Sequence, residues 1–231
     1  MGHLSLNPAG TGLLSNKLNA LPTNTICSIS PYFFNAGLLC SGHILSTVAS
    51  AYAWTINEAL ASSTFPQFDV LFGPAYKGIP LAAVTSLTLW TQHKVSVGLA
   101  YDRKEVKDHG EGGKLVGSGM KGKKVLILDD VMTSGKAIRG AIECVLQGGG
   151  EVVGVIQLLD REEIGQGEVS GKSTVEEIEK LLGGESRVLS VLKMRDLMEW
   201  LEDKDTLKDE LDKMREYRDR YGIKSLVCLK R

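Results

Sequence analysis

The stretch from Val125 to Ala137, VLILDDVMTSGKA, constrains this chain more than any other. Four consecutive apolar residues, Val125 to Leu128, predict a strand buried on both faces, since a half-exposed strand would alternate. Two acids, Asp129 and Asp130, follow at its carboxyl end, the edge at which open α/β sheets hold their ligands. Thr133, Ser134 and Gly135 come next and open a helix. Such small residues let the backbone approach an anion closely, and the free N–H groups and positive dipole end of a helix start suit a phosphate. Two hydroxyl acceptors followed by a phosphate cradle match a ribose 5-phosphate. A strand, turn and helix with an aspartate cap is common by itself. The full run of four apolar residues, two acids and T-S-G is much rarer, and we read it as functional.

Two other glycine patterns fail on context. Gly117, Gly119 and Gly122 spell G-x-G-x-x-G but precede a strand, where a dinucleotide loop would follow one. Gly171-Lys172-Ser173 resembles the end of a Walker A loop, but the spacing requires a glycine where Gln166 stands.

Around the central stretch, strands alternate with helices. The pattern predicts helices over 43–60, 78–90, 135–147 and 173–182, and strands over 68–72, 94–101, 125–128, 151–159 and 187–192. Two charged helices then run to Tyr221. This order argues for a parallel α/β sheet. Residues 104–122 are glycine-rich and charged without apolar periodicity, which predicts a long loop, and long loops inside compact domains tend to be functional lids.

With a net charge of −1, nothing global suggests electrostatic capture of nucleic acid or an anionic membrane, so any anion site must be local. Charge is uneven: before Asp69 only Lys17 and Glu58 are charged, histidines aside, so this quiet third could pack against another subunit. Cys27, Cys40, Cys144 and Cys228 form neither a close pair nor a Cys/His cluster. They read as reduced thiols of a cytoplasmic protein. The most apolar segment, 44–61, carries Ser46, Thr47, Ser50, Thr55, Asn57 and Glu58, too polar for a lipid-facing span, and no secretory signal is expected at the amino end.

Arg103, Lys104, Lys107 and His109 crowd into YDRKEVKDHGEGG. Taken alone, such a run reads as a solvated loop. The flanking Gly110, Gly112 and Gly113 favour a moving lid instead, whose cations would face a departing diphosphate while excluding water. Lys77, in FGPAYKGIP, stands between a strand end and a helix start and suits either a second phosphate site or solvent.

Five blocks together resemble the orotate phosphoribosyltransferase family: SPYFFNAG, FGPAYKGIP, YDRKEVKDHGEGG followed by KLVGS, LILDDVMTSGKA, and LLDREE. The acid-pair motif marks the broad phosphoribosyltransferase class, and the lid with FGPAYKGIP points to orotate. The resemblance implies a type I phosphoribosyltransferase fold, a mostly parallel central sheet flanked by helices, with a flexible basic lid and a small hood. It implies a domain over 30–221 with the lid at 104–122, preceded by a divergent segment 1–29 and followed by a tail 222–231. It implies transfer of the ribosyl group of 5-phosphoribosyl 1-diphosphate (PRPP) to orotate with Mg²⁺ carried by PRPP, in a homodimer whose lids reach across to the neighbouring site. No metal ligand is assigned to a side chain.

Residue by residue, the resemblance assigns Asp129, Asp130, Val131, Met132, Thr133, Ser134, Gly135, Lys136 and Ala137 to the ribose and 5-phosphate. Tyr76, Lys77, Arg103, Lys104, Lys107 and His109 would face diphosphate. Phe33, Phe34, Thr133 and Arg161 would contact orotate, where a guanidinium fork suits the substrate carboxylate; Arg161 could equally pair with a neighbouring acid. Lys107, His109, Asp129 and Asp130 are the expected catalytic residues. Where family members carry a lysine just before SPYFF, this chain has Thr25. Transfer to another base, or a PRPP sensor that does not turn over, are the alternatives.

Overall fold

The computed structural model describes residues 34–107, 113–165 and 172–223. Six strands form one sheet: β1 (Val70–Gly73), β2 (Gly98–Lys107), β3 (Gly113–Gly117), β4 (Lys124–Val131), β5 (Glu151–Asp160) and β6 (Val188–Lys193), in the order β3-β2-β1-β4-β5-β6. All neighbours are parallel except the β2–β3 pair. Six α-helices join them: α1 (Gly42–Ala61), α2 (Gly78–His93), α3 (Lys136–Gln147), α4 (Thr174–Leu181), α5 (Met194–Glu202) and α6 (Lys208–Tyr221).

The two-residue period of a strand sorts the core into two layers. Leu126 and Leu128 of β4 point to one face and pack with Tyr52 and Ile56 of α1 and Leu81 and Leu89 of α2. Val125 and Ile127 point to the other and meet Ile138, Ile142 and Val145 of α3 and Ile178 of α4. Both faces are covered, which is why β4 reads as an unbroken apolar run. A third cluster joins Leu159 at the end of β5 to Met194, Met198 and Leu201 of α5 and Leu211 and Met214 of α6. The charged helices expected near the carboxyl end therefore do more than face solvent: each buries an apolar stripe against the end of the sheet.

Two expectations need correction. Residues 104–122 are not one long loop: β2 runs on to Lys107 and β3 pairs antiparallel with it, Tyr101 opposite Val116 and Lys107 opposite Gly113. Leu115 of β3 packs on the core, but toward Lys107 the hairpin is held by backbone bonds, so its side chains there need no apolar alternation. The strand expected over 94–101 begins later, at Gly98, because α2 continues to His93 and Lys94 ends it in a left-handed turn at φ 60°. That extra turn, Thr91 to His93, lies outside the core, so its polar sequence hid it. Among the described residues no helix is long and apolar enough to cross a membrane. Cys40 and Cys144 are free thiols; Cys27 and Cys228 lie outside the described residues.

Candidate active site

The chain leaves β1 toward β2 on one side and reaches β4 on the other, so the strand order reverses between β1 and β4. A crevice at the carboxyl ends of the strands is expected at such a switch point. β1 delivers Gly73 and then Ala75, Tyr76 and Lys77. β4 delivers Asp129 and Asp130. The two meet: Lys77 Nζ lies 3.1 Å from Asp130 Oδ2. Gly73 is required for this approach, because a Cβ there would stand 2.3 Å from the carbonyl oxygen of Gly78 at the start of α2.

Both acids are nearly buried, with 8% of Asp129 and 9% of Asp130 exposed. Burial, reinforced by the neighbouring Asp130 charge, pushes the Asp129 carboxyl up from 3.8 to about 7. Lys77 pulls the other way. The carboxylates are held by their own backbone: Asp130 N–H donates to Asp129 Oδ1 at 3.0 Å, and Val131 N–H donates to Asp130 Oδ1 at 2.9 Å. From below, the Tyr52 hydroxyl donates to the Asp129 carbonyl at 2.7 Å. Burial and the two carboxylates raise the Tyr52 phenol well above its ordinary value, so it stays a donor.

The segment after β4 is braced on both sides. The Met132 N–H donates to Gln157 Oε1 at 3.1 Å, and Gln157 Nε2 donates to Ser190 Oγ at 3.2 Å, tying the loop across β5 to β6. Thr174, at the start of α4, donates to the Thr133 carbonyl at 2.7 Å. Gly135 caps α3 at φ 72°, a conformation that favours glycine, and a Cβ there would meet Thr174 Cγ2 at 2.9 Å. Thr133, Ser134, Lys136 and Ala137 remain exposed around this cap, Met132 is buried and Val131 half-buried. An exposed loop at a helix start, fixed from beneath, is what phosphate binding needs.

On the β2 side, the Asp102 carboxylate accepts from Ala75 N–H at 2.6 Å, so the hairpin anchors the Tyr76–Lys77 segment. Lys104 Nζ sits 4.8 Å from the Tyr76 ring centroid. Tyr76 and Lys104 are exposed and Arg103 is half-buried.

Residues 42–181, more than half of the chain, match the phosphoribosyl transferase domain family. Over 195 residues the chain is 47% identical to the orotate phosphoribosyltransferase of Acinetobacter baumannii, covering 84% of this chain and 85% of that one. The Salmonella newport enzyme of the same name is 43% identical, covering 84% and 86%. The crystal structure of the Francisella tularensis orotate phosphoribosyltransferase superposes with a TM-score of 0.69 at 36% identity, covering 84% and 88%.

The chain belongs to the orotate phosphoribosyltransferase family.

Several of the residues expected from the sequence come together here: Lys77 with Asp130 beside Asp129, Lys104 with Tyr76, and the loop from Val131 to Ala137 directly after the acids. Others stand apart. Arg161, at the end of β5, is 2.7 Å from Glu163, the ion pair with a neighbouring acid that its sequence context also allowed. Phe34 is half-buried between the sheet core and the α5–α6 cluster. Phe33, Thr25 and His109 lie outside the described residues, as does the Lys107 side chain.

Sequence reasoning missed Tyr52, Asp102, Gln157 and Thr174. Gln157 left a trace: it is the polar residue inside the apolar strand VVGVIQLL, and a fully buried amide needs a partner. Tyr52 left none, since an aromatic residue on a helix face reads as core.

Proposed function

We propose that this chain transfers the 5-phosphoribosyl group of PRPP to the base nitrogen of orotate, releasing diphosphate and orotidine 5′-phosphate. The observation that carries the reading is the buried Asp129–Asp130 pair beside the capped phosphate loop at the sheet's switch point, in a chain 47% identical to an orotate phosphoribosyltransferase.

In this reading the two carboxylates accept the vicinal hydroxyls of the ribose and orient it. They also offset the positive charge that develops at the anomeric carbon as its bond to diphosphate breaks and the bond to orotate forms. No side chain becomes a covalent nucleophile. Residues 131–137 bind the 5-phosphate through N–H groups at the start of α3. Tyr76, Lys77, Arg103 and Lys104, with Lys107 and His109, face the diphosphate. Lys77 then exchanges Asp130 for a phosphate oxygen. Phe33, Phe34, Thr133 and Arg161 hold orotate, the guanidinium of Arg161 on its carboxylate.

The residues fit a Mg²⁺ that arrives with PRPP. No group of three His, Cys, Asp or Glu side chains among the described residues forms a metal cage, while the acid pair offers the hard oxygen donors that Mg²⁺ accepts alongside phosphate oxygens and water. Bound there, Mg²⁺ would supply charge neutralisation on the diphosphate.

We read the catalytic domain as 30–221 and the working form as a cytoplasmic homodimer in which each basic hairpin serves the neighbouring site. Trp54 of α1, with Leu87 and Trp90 of α2, supports the dimer: all three large apolar side chains are exposed, on helices that pack together and are joined by Gln92 and Ser50. The chain incubated with orotate, PRPP and Mg²⁺ is expected to consume orotate, followed by loss of its ultraviolet absorbance. An unchanged spectrum ends the proposal.

A further inference from the structure

At the carboxyl end of β5 the chain makes one tight turn, Asp160-Arg161-Glu162-Glu163, and its centre points inward. Glu162 adopts φ 52°, an uncommon conformation for a side chain of that size, and is 2% exposed. Its N–H donates to Asp160 Oδ1 at 2.9 Å, closing the turn on itself. A buried carboxylate must be paired, and Glu162 is paired twice over. Arg195, in the first turn of α5, donates its backbone N–H to Oε2 at 3.1 Å and its Nε to Oε1 at 2.5 Å, with a further guanidinium contact to Oε1. Arg218 of α6 reaches Oε2 at 3.3 Å. The hydrogen bond to Glu162 also holds the Arg195 guanidinium above its ordinary pKa.

The same turn receives the carboxyl end of α6 as a short antiparallel ladder. Ile223 N–H donates to the Glu162 carbonyl at 3.1 Å, Ile164 N–H donates to the Tyr221 carbonyl at 2.9 Å, and Glu163 pairs with Gly222. With Glu162 turned inward, the residues on either side of it come together: Arg161 and Glu163, both largely buried, pair at 2.7 Å. Glu162 thus engages Arg195 and Arg218, while Glu163 beside it engages Arg161.

We propose that Glu162 is a positioning residue for substrate specificity. By engaging Arg195 and Arg218 it keeps both away from Glu163, and so holds the Arg161 guanidinium where it reads the carboxylate of the base. The inference rests on the proposed function, in which Arg161 contacts orotate. Without the Glu162 charge, two further guanidinium groups compete for Glu163, and Arg161 loses the partner that aims it.

Glu162→Gln in the full-length chain tests this by steady-state kinetics. The KM for orotate should rise about tenfold, while kcat and the KM for PRPP stay within about twofold. Preference for orotate over uracil, which lacks the carboxylate, should fall by a similar factor. In an Arg161→Ala background, Glu162→Gln should add nothing to the orotate KM, because the group it positions is gone. Should Glu162→Gln fail to fold, Glu162→Asp, which keeps the buried charge but is one methylene too short to hold both arginines, should show the same selective rise to a smaller degree.

An unmoved orotate KM in a folded variant overturns the proposal. So does an equal loss toward both substrates, or an effect additive with Arg161→Ala, since each is what a merely structural role produces. A wild-type chain inactive on orotate overturns the proposed function as well. An active wild type with an unmoved KM in the variant overturns the positioning role alone.

Discussion

The two halves of the candidate site are built differently. The half proposed for ribose 5-phosphate is part of the sheet: Asp129 and Asp130 are nearly buried, Tyr52 holds the backbone beneath them, and Gln157 and Thr174 brace the loop that follows. The half proposed for diphosphate is a surface. Tyr76 is 63% exposed, the Lys77 side chain 59%, and the β2–β3 hairpin extends past the covered core. A rigid half suits a group that stays bound through the reaction, and an open half suits one that must leave. The difference also separates two kinds of mutational effect: substitutions in the first half act on geometry and charge fixed by the core, and those in the second act on charge alone.

The largest effect is expected from Asp129→Asn, which keeps the shape and removes one of the two charges meant for the ribose. We predict a fall in kcat/KM for PRPP of at least about 100-fold. A fall of less than about fivefold would place the important carboxylate elsewhere and erase the contrast between the halves.

The same substitution has a second consequence of opposite sign. Burial and Asp130 raise the Asp129 carboxyl to about 7, whereas the unfolded chain ionises it near 3.8. Both states hold the proton below 3.8, and this group then contributes its full stability to the fold. Between 3.8 and 7 the unfolded chain releases the proton first, so the contribution is lost as pH rises through that window. Asp129→Asn removes the penalty. Thermal melts should therefore show the variant more stable than wild type at pH 8, by on the order of 2 kcal/mol, with the gap closing toward pH 4. A gap independent of pH would mean that the acids are not forced together.

For the open half, Lys107→Ala should lower kcat about tenfold, equivalent to roughly 1.4 kcal/mol of transition-state stabilisation. Mixing Lys107→Ala chains with Asp129→Asn chains should restore part of the lost activity if hairpins serve neighbouring sites, since one composite site in the mixed dimer is intact. No recovery would confine each hairpin to its own subunit.

How far the sequence was legible follows the same division. Val125 to Gly135 could be read because a strand covered on both faces leaves a continuous apolar run, and because acids and small residues at its end have few other reasons to occur together. The β2–β3 hairpin could not. Leu115 still packs on the core, but Lys104 and Glu105 are exposed and obey no period, so the stretch looks like a loop. Interior polar contacts were legible only where they broke a pattern, as Gln157 does in its strand. Glu162 sits in an acidic, basic run that reads as surface, and its burial follows from Arg195 and Arg218, which approach from helices more than thirty residues later. No local signal records a partner that distant.

The smallest effect is the sharpest test of how the rigid half is held. Tyr52→Phe removes one hydroxyl, the donor to the Asp129 carbonyl, and changes neither charge nor shape. The lost hydrogen bond should cost about 1 kcal/mol of stability. Since that carbonyl sits under the acid pair, a rise of about threefold in the KM for PRPP should accompany it, with the KM for orotate unchanged. A destabilised variant with both KM values intact would show that the acids keep their place through Asp130 and Val131 N–H bonds alone, so that the sheet supports the site without setting its geometry.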